Sequence, residues 1–168
     1  MPLTSTLNFS VSGVQTTALD LGTASLPFTL NSNFTLASGV AANQADRVFT
    51  DTRTLGASAT EDLDLAGVLL DAFGAAITFV KLKALVIKAA AANTNNVHLS
   101  RPAGATGVPI FLAISDGIII PPGYTFAWFG PGTGGIAVTP ATGDLITLTN
   151  SAGGTGVTYD VVIIGTSA

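Results

Sequence analysis

At 168 residues the chain is long enough to bury roughly 70% of its unfolded surface as one domain, and it has no cysteine, which excludes disulfides, thiol chemistry and zinc–thiolate sites. Charged residues make up only 10% of it against a usual value near 25%, and mean hydropathy is +0.58, the balance of a membrane protein or of a subunit partly covered by neighbours. Net charge is −4, and the six basic residues are scattered as Arg47, Arg53, Lys81, Lys83, Lys88 and Arg101, so no basic face for nucleic acid is expected.

The opening "MPLTSTLNFS" has neither the basic region nor the apolar core of a secretory signal. The chain is therefore expected to stay in the cytoplasm in which it is made until it assembles. Residues 1–6 read as a short arm. Apolar alternation then marks short strands at Leu7, Phe9 and Val11, at Leu19 and Leu21, at Phe28 and Leu30, and at Phe34 and Leu36. Asp46 to Leu55 and Thr60 to Leu65, joined by "GASA", read as a hairpin. The most apolar segment, Leu65 to Val80, contains Asp71 and two glycines and is shorter than the ~20 residues of a spanning helix, so no membrane partner is expected.

Ile77 to Ala92 reads as a strand with at most a helical turn near residues 77–83. Further strands are predicted at Val97 to Leu99, Ile110 to Ile114, Gly117 to Ile120, Tyr124 to Phe129, Ile136 to Thr139, Asp144 to Asn150 and Thr158 to Gly165. So many strands must curl or split. The expected fold is all-β, a two-sheet sandwich of jelly-roll type spanning residues 1–168 as a single domain.

Candidate chemistry is sparse. His98 is the only histidine, too few for a metal-binding cupin, and reads as a strand-end residue. "NSAGGTGVT" leads into a strand rather than a helix, which makes it a hairpin loop and not a phosphate cradle. In "TEDLDLAG", Asp62 and Asp64 share one strand face. Paired with the preceding strand they meet Arg53, and an ion pair is preferred over a calcium site of Asp51, Asp62 and Asp64 or a catalytic carboxylate pair. No catalytic residue, cofactor or committed metal ligand is expected, and the chain is not expected to be an enzyme.

The stretch "PPGYTFAWFGP" places a strand without charges between two turns, with Tyr124, Phe126 and Trp128 on one side and Thr125, Ala127 and Phe129 on the other. Both faces need cover, so Tyr124, Trp128 and Phe129 are interface candidates. The apolar run "VVIIG" near the C-terminus has the same character.

Three stretches, "NQADRVFTDTRTLGASATEDLDLAG", "LKALVIKAAAANTNNV" and "GDLITLTNSAGGTGVTYDVVIIGTSA", together with the Pro-Gly turn before the aromatic strand, resemble small virion proteins of tailed bacteriophages. The resemblance implies a structural part of the particle, a head decoration or cement protein. Such a protein sits on the capsid exterior as a homotrimer against the major capsid protein, after synthesis in the host cytoplasm. It carries no catalytic signature. The alternative in a different class is a carbohydrate- or receptor-binding tip domain of a tail fibre or tailspike.

Overall fold

The computed structural model describes residues 2–104, 106–132 and 134–168; Met1, at the head of the expected short arm, lies outside them. Among the described residues twelve strands follow in chain order: β1 (Ser5–Leu19), β2 (Gly22–Ser38), β3 (Gln44–Ala45), β4 (Arg47–Leu55), β5 (Thr60–Asp64), β6 (Lys81–Ala89), β7 (Val97–Ser100), β8 (Gly117–Ile120), β9 (Thr125–Phe129), β10 (Ile136–Ala137), β11 (Leu145–Asn150) and β12 (Val157–Thr166). The fold is all-β. One antiparallel sheet runs β4–β12–β6, with β9 and β10 sharing the far edge of β6; the other runs β5–β11–β7–β8.

The two sheets form a sandwich around one core. Leu85, Ile87 and Ala89 of β6 and Tyr159, Val161 and Ile163 of β12 meet Leu63 of β5, Val97 and Leu99 of β7, and Ile146 and Leu148 of β11. The alternation in these segments is the cause, since every second side chain of a strand faces the same way. Chain order explains the layout. β4 and β5 belong to opposite sheets, as do β6 and β7, and β11 and β12.

Two sequence-based expectations are corrected, for the "GASA" and Ile110 to Ile114 segments, while the expectation of at most a helical turn at residues 77–83 holds. The "GASA" segment is a corner between sheets and not a hairpin, because β4 pairs with β12 and β5 with β11. Residues 77–83 form no helical turn. Ile77 and Phe79 are buried while Thr78 and Val80 are exposed, and the amides of Ile77 and Phe79 donate to Leu69 and Leu65, which holds the segment extended up to β6. Ile110 to Ile114 is a looped segment. The Ala113 amide donates to the Asp116 carboxylate, and Arg101 donates from its side chain to the carbonyls of Phe111 and Leu112.

The largest departure lies in the first 38 residues. In place of several short strands, β1 and β2 form one antiparallel ribbon closed by Asp20 and Leu21, in unbroken register from Leu19↔Gly22 to Ser5↔Leu36. Fifteen residues of β1 extend about 50 Å at about 3.4 Å each. At the root, Leu7 and Leu36 are buried with Ala45 against Ala84 and Ile164 on the outer face of the β4–β12–β6 sheet, and Leu3, Val48, Val162 and Phe129 pack around them. Gly39 ends the ribbon with a φ of 142°, and a side chain there would collide with Gln44, whose Oε1 accepts from the Ala41 amide.

Leu36 is thus the anchor of the ribbon. Leu36→Ala is expected to cost about 2–5 kcal/mol and to act locally. Limited proteolysis should cut the variant between Ser5 and Ser38 while the sandwich stays intact, and unchanged cleavage kinetics would refute the anchoring role.

Candidate functional site

This chain packs against the inner face of the uncharged aromatic strand and against Phe129 on its outer face, where Thr125 and Ala127 are exposed. Phe126 and Trp128 pack against the inter-sheet core, with the Phe126 ring 6.4 Å from that of Phe111. Gly130 has no side chain because the Trp128 ring occupies that space. Phe129, on the opposite face, packs in the cluster at the ribbon root. Tyr124 precedes the strand and is 66% exposed. Of the three sequence-derived interface residues, two are engaged within the fold and only Tyr124 is free at the surface.

The carboxylates do not assemble a cation site. Asp51 lies on β4 in one sheet and Asp62 and Asp64 on β5 in the other. Each has a local partner: Asp51 accepts from Arg53 at 3.1 Å, Asp62 from the Thr147 hydroxyl at 2.6 Å, and Asp64 from the Ala66 amide at 3.0 Å. Among the described residues no three metal-ligating side chains come together.

Arg53 does form an ion pair, but with a different carboxylate from the one expected. Its Nη2 lies 2.7 Å from Glu61, and its Nε donates to the same oxygen at 2.8 Å. The other Glu61 oxygen accepts from the Tyr159 hydroxyl at 2.6 Å. Because β4 and β5 edge opposite sheets, this three-residue network ties the sheets together along one open side of the sandwich. The hydrogen bond to Glu61 raises the Arg53 pKa, and burial followed by the same carboxylate pushes the Tyr159 hydroxyl far above its ordinary value.

Two surface recesses lie among the described residues. One, of about 430 Å³, lies between the N-terminal segment, β4 and the loop carrying Phe73, lined by Leu3, Val48, Phe73, Ala76 and Ile77 among others. Its acidic residues are committed to the fold. Asp71 caps the amides of Phe73 and Ala75, and Asp46 accepts from Ser167. The second, of about 320 Å³, lies on the outer face of the β5–β11–β7–β8 sheet around His98, Ser100, Ser115 and Ile119. His98 is a mid-strand residue opposite Ile119 and Thr149, and among the described residues no hydrogen bond links it to a hydroxyl or carboxylate.

Lys83 is the other charged group in an unusual place. It is the extra residue at the bulge where β6 passes from Ala84↔Ile164 to Leu82↔Gly165, and it is fully buried, with Nζ donating to the Gly132 carbonyl. Burial, with Lys81 nearby, lowers its pKa.

The surface that stands out is the ribbon. The register puts Leu7, Phe9, Val11 and Leu19 of β1 on the same face as Leu26, Phe28, Leu30 and Phe34 of β2. The opposite face is mostly polar, carrying Thr6, Asn8, Ser10, Ser12 and Thr16 beside Thr23, Ser25, Thr29, Asn31, Asn33 and Thr35, with Val14, Ala18 and Pro27 as its apolar members and Ser10 hydrogen-bonded to Asn31 at 2.6 Å. Beyond the root the apolar face is open: Phe9 is 48%, Phe28 52%, Leu30 61% and Leu26 65% exposed. Phe28 lies across Gly13, where a side chain would meet its ring. Asp20, in the turn, is the only charged residue from Ser5 to Ser38.

Two predictions follow from these placements. Trp128→Ala is expected to destabilise the folded chain by about 3–5 kcal/mol, whereas Tyr124→Ala should stay within about 0.5 kcal/mol; urea denaturation of both variants checks this, and equal small effects would return Trp128 to the surface. The second concerns pH. Tyr159 keeps its proton in the fold while the unfolded chain loses it near pH ~10, so the unfolded state binds fewer protons and stability falls as pH rises past about 10. Tyr159→Phe should flatten that fall above about pH 10, and an unchanged slope would refute it.

Among the described residues no helix is long and apolar enough to cross a membrane. No family model matches the chain, and neither a curated protein nor a solved structure matches it.

Proposed function

We propose that this chain is a structural protein of a tailed-phage particle, a head decoration or cement protein that self-associates as a homotrimer and binds the major capsid protein on the capsid exterior. The phage assignment comes from the resemblance of the three sequence stretches quoted above. The observation that carries the structural role is the β1–β2 ribbon, an uncharged projection with one apolar face open beyond its root. Large exposed apolar surfaces mark places where another macromolecule binds. The strand orders β4–β12–β6–β9 and β5–β11–β7–β8, with successive strands passing between two sheets, support the reading of the sandwich as a jelly roll, an architecture found in capsid and lectin domains alike.

As a cement protein the chain works by burial rather than by chemistry. Each Å² of apolar surface taken from water contributes about 25 cal/mol. A symmetric shell repeats that contact at every lattice position, and multivalent attachment resists the pressure of packaged DNA without any single strong bond.

Heating particles that contain or lack the protein, with DNA release as the readout, tests this. Particles lacking it are expected to release DNA at a lower temperature, and imaging should find many copies on the head. Equal release temperatures, with a few copies confined to the tail, would replace cement with the receptor-binding fibre reading.

A further inference from the structure

We infer that copies of this chain join through the apolar face of the β1–β2 ribbon, ribbon packed against ribbon. This deepens the assembly reading above and rests on it; it names a surface that sequence reasoning, with its attention on Tyr124, Trp128 and Phe129, did not find.

Four observations select a second copy as the occupant. The first is area. A compact monomer of 16.8 kDa exposes about 7,600 Å², and this chain exposes 8913 Å². If half of the roughly 1,300 Å² excess belongs to the apolar face, each chain of the homotrimer buries about 650 Å² and the three faces packed together remove about 1,950 Å², inside the range of stable interfaces. The second is charge. With Asp20 alone in 34 residues, and at the tip, two ribbons meet without like charges in contact, and no oppositely charged partner is called for.

The third is the edge. Pro27 in β2 has no N–H and must sit where that position points away from β1, so it interrupts the outward row of donors and hinders strand addition along the edge. The outer edge of β1 carries no such block, but a contact there would leave the exposed apolar face open, so the face is the surface that docking must cover. The fourth is the composition of the apolar face. Gln15, Thr17 and Ser32 lie within it, opposite Leu26, Ala24 and Phe9. A facing protein ribbon can satisfy these polar groups and hydrocarbon cannot, which favours another chain over a lipid surface.

The absence of cysteine allows a clean test. Val11→Cys and Leu30→Cys place single thiols on the apolar face, and Ser12→Cys and Thr29→Cys place them on the polar face. Oxidation or a short bismaleimide should cross-link the first pair of variants into covalent dimers and leave the second pair monomeric on denaturing gels. In sedimentation at micromolar concentration the native chain should be oligomeric. Val11→Asp and Leu30→Asp should weaken association by more than about 100-fold, a cost of about 2.7 kcal/mol, while Ser12→Asp leaves it unchanged; circular dichroism confirms that each variant is folded. An oligomer that survives Val11→Asp, or cross-links only through the polar face, overturns the ribbon inference and leaves the assembly reading standing. A native chain that is monomeric but binds capsids through the ribbon overturns self-association at this face. So does a monomer that floats with phosphatidylcholine vesicles. A monomer that binds neither copies, capsids nor vesicles removes the assembly reading as well.

Discussion

The apolar row on the outside of the β4–β12–β6–β9 sheet is the constraint on which the rest of the molecule depends. Val48, Ile164, Ala84 and Phe129 lie side by side across four strands, and a sandwich covers only the inner faces of its sheets. The chain solves this with its own first 45 residues. Leu7, Leu36 and Ala45 close over the row, and the short parallel pairing of β3 with the end of β2 holds that cover down. The two adjoining outer rows show the contrast. In the first, Val162 and Val86 are partly covered and Thr50 and Ala127 exposed; in the second, Thr52, Asp160, Lys88 and Thr125 are exposed and polar, with Thr52 hydrogen-bonded to Asp160. Cover is supplied where the sheet is apolar and stops where it is not.

The inner layer obeys a different rule. Along β4 the inward positions are Phe49, Asp51, Arg53 and Leu55, so the edge strand carries two charges into the mouth of the sandwich. They are tolerated there because Arg53 is matched by Glu61 from the facing sheet, and Glu61 is matched in turn by the Tyr159 hydroxyl. A half-exposed ion pair of this kind contributes little by itself. Its effect is geometric, since it lets two edge strands approach without a solid apolar filling between them and satisfies the one polar atom of a large buried tyrosine.

Much of the sandwich was legible in the sequence because period-two alternation is a local signal. The strands beginning near Arg47, Thr60, Val97, Gly117, Thr125, Leu145 and Val157 all lie within a residue or two of their expected places. What failed was pairing. Nothing local distinguishes a "GASA" hairpin from a "GASA" corner, and so Arg53 was matched with Asp62 or Asp64 and not with Glu61. The ribbon was broken into short strands because Gly13, Pro27 and runs of Ser, Thr and Asn punctuate it, and those residues usually end strands. Here they stand on a two-stranded projection where both strands are edges and one face is wet. A signal was present all the same: apart from Val14, the large apolar residues fall on odd positions before Asp20-Leu21 and on even positions after it, a mirror pattern that places both sets on one face of a single long hairpin. The packing of Trp128 on the core was not legible for the opposite reason, since an aromatic strand without charges looks alike whether its cover comes from the same chain or from another.

The ribbon's dependence on a partner follows from its own physics. A two-stranded hairpin is marginal in water, because each strand has only one neighbour to bond and one face to bury. This one is fixed at the root by Leu7 and Leu36, and beyond them its order relies on cross-strand pairs such as Val11 with Leu30 and Gly13 with Phe28. Docking against another surface would add the missing apolar contact along most of its length, so rigidity of the ribbon and association are thermodynamically linked: whatever stiffens the free ribbon lowers the ordering cost of assembly. Uncharged Ser, Thr and Asn on the reverse face keep the free form hydrated without giving it a charge that would oppose close approach. The low charge of the whole chain, which at first admits a membrane protein, is concentrated in the segment where self-repulsion would be most costly.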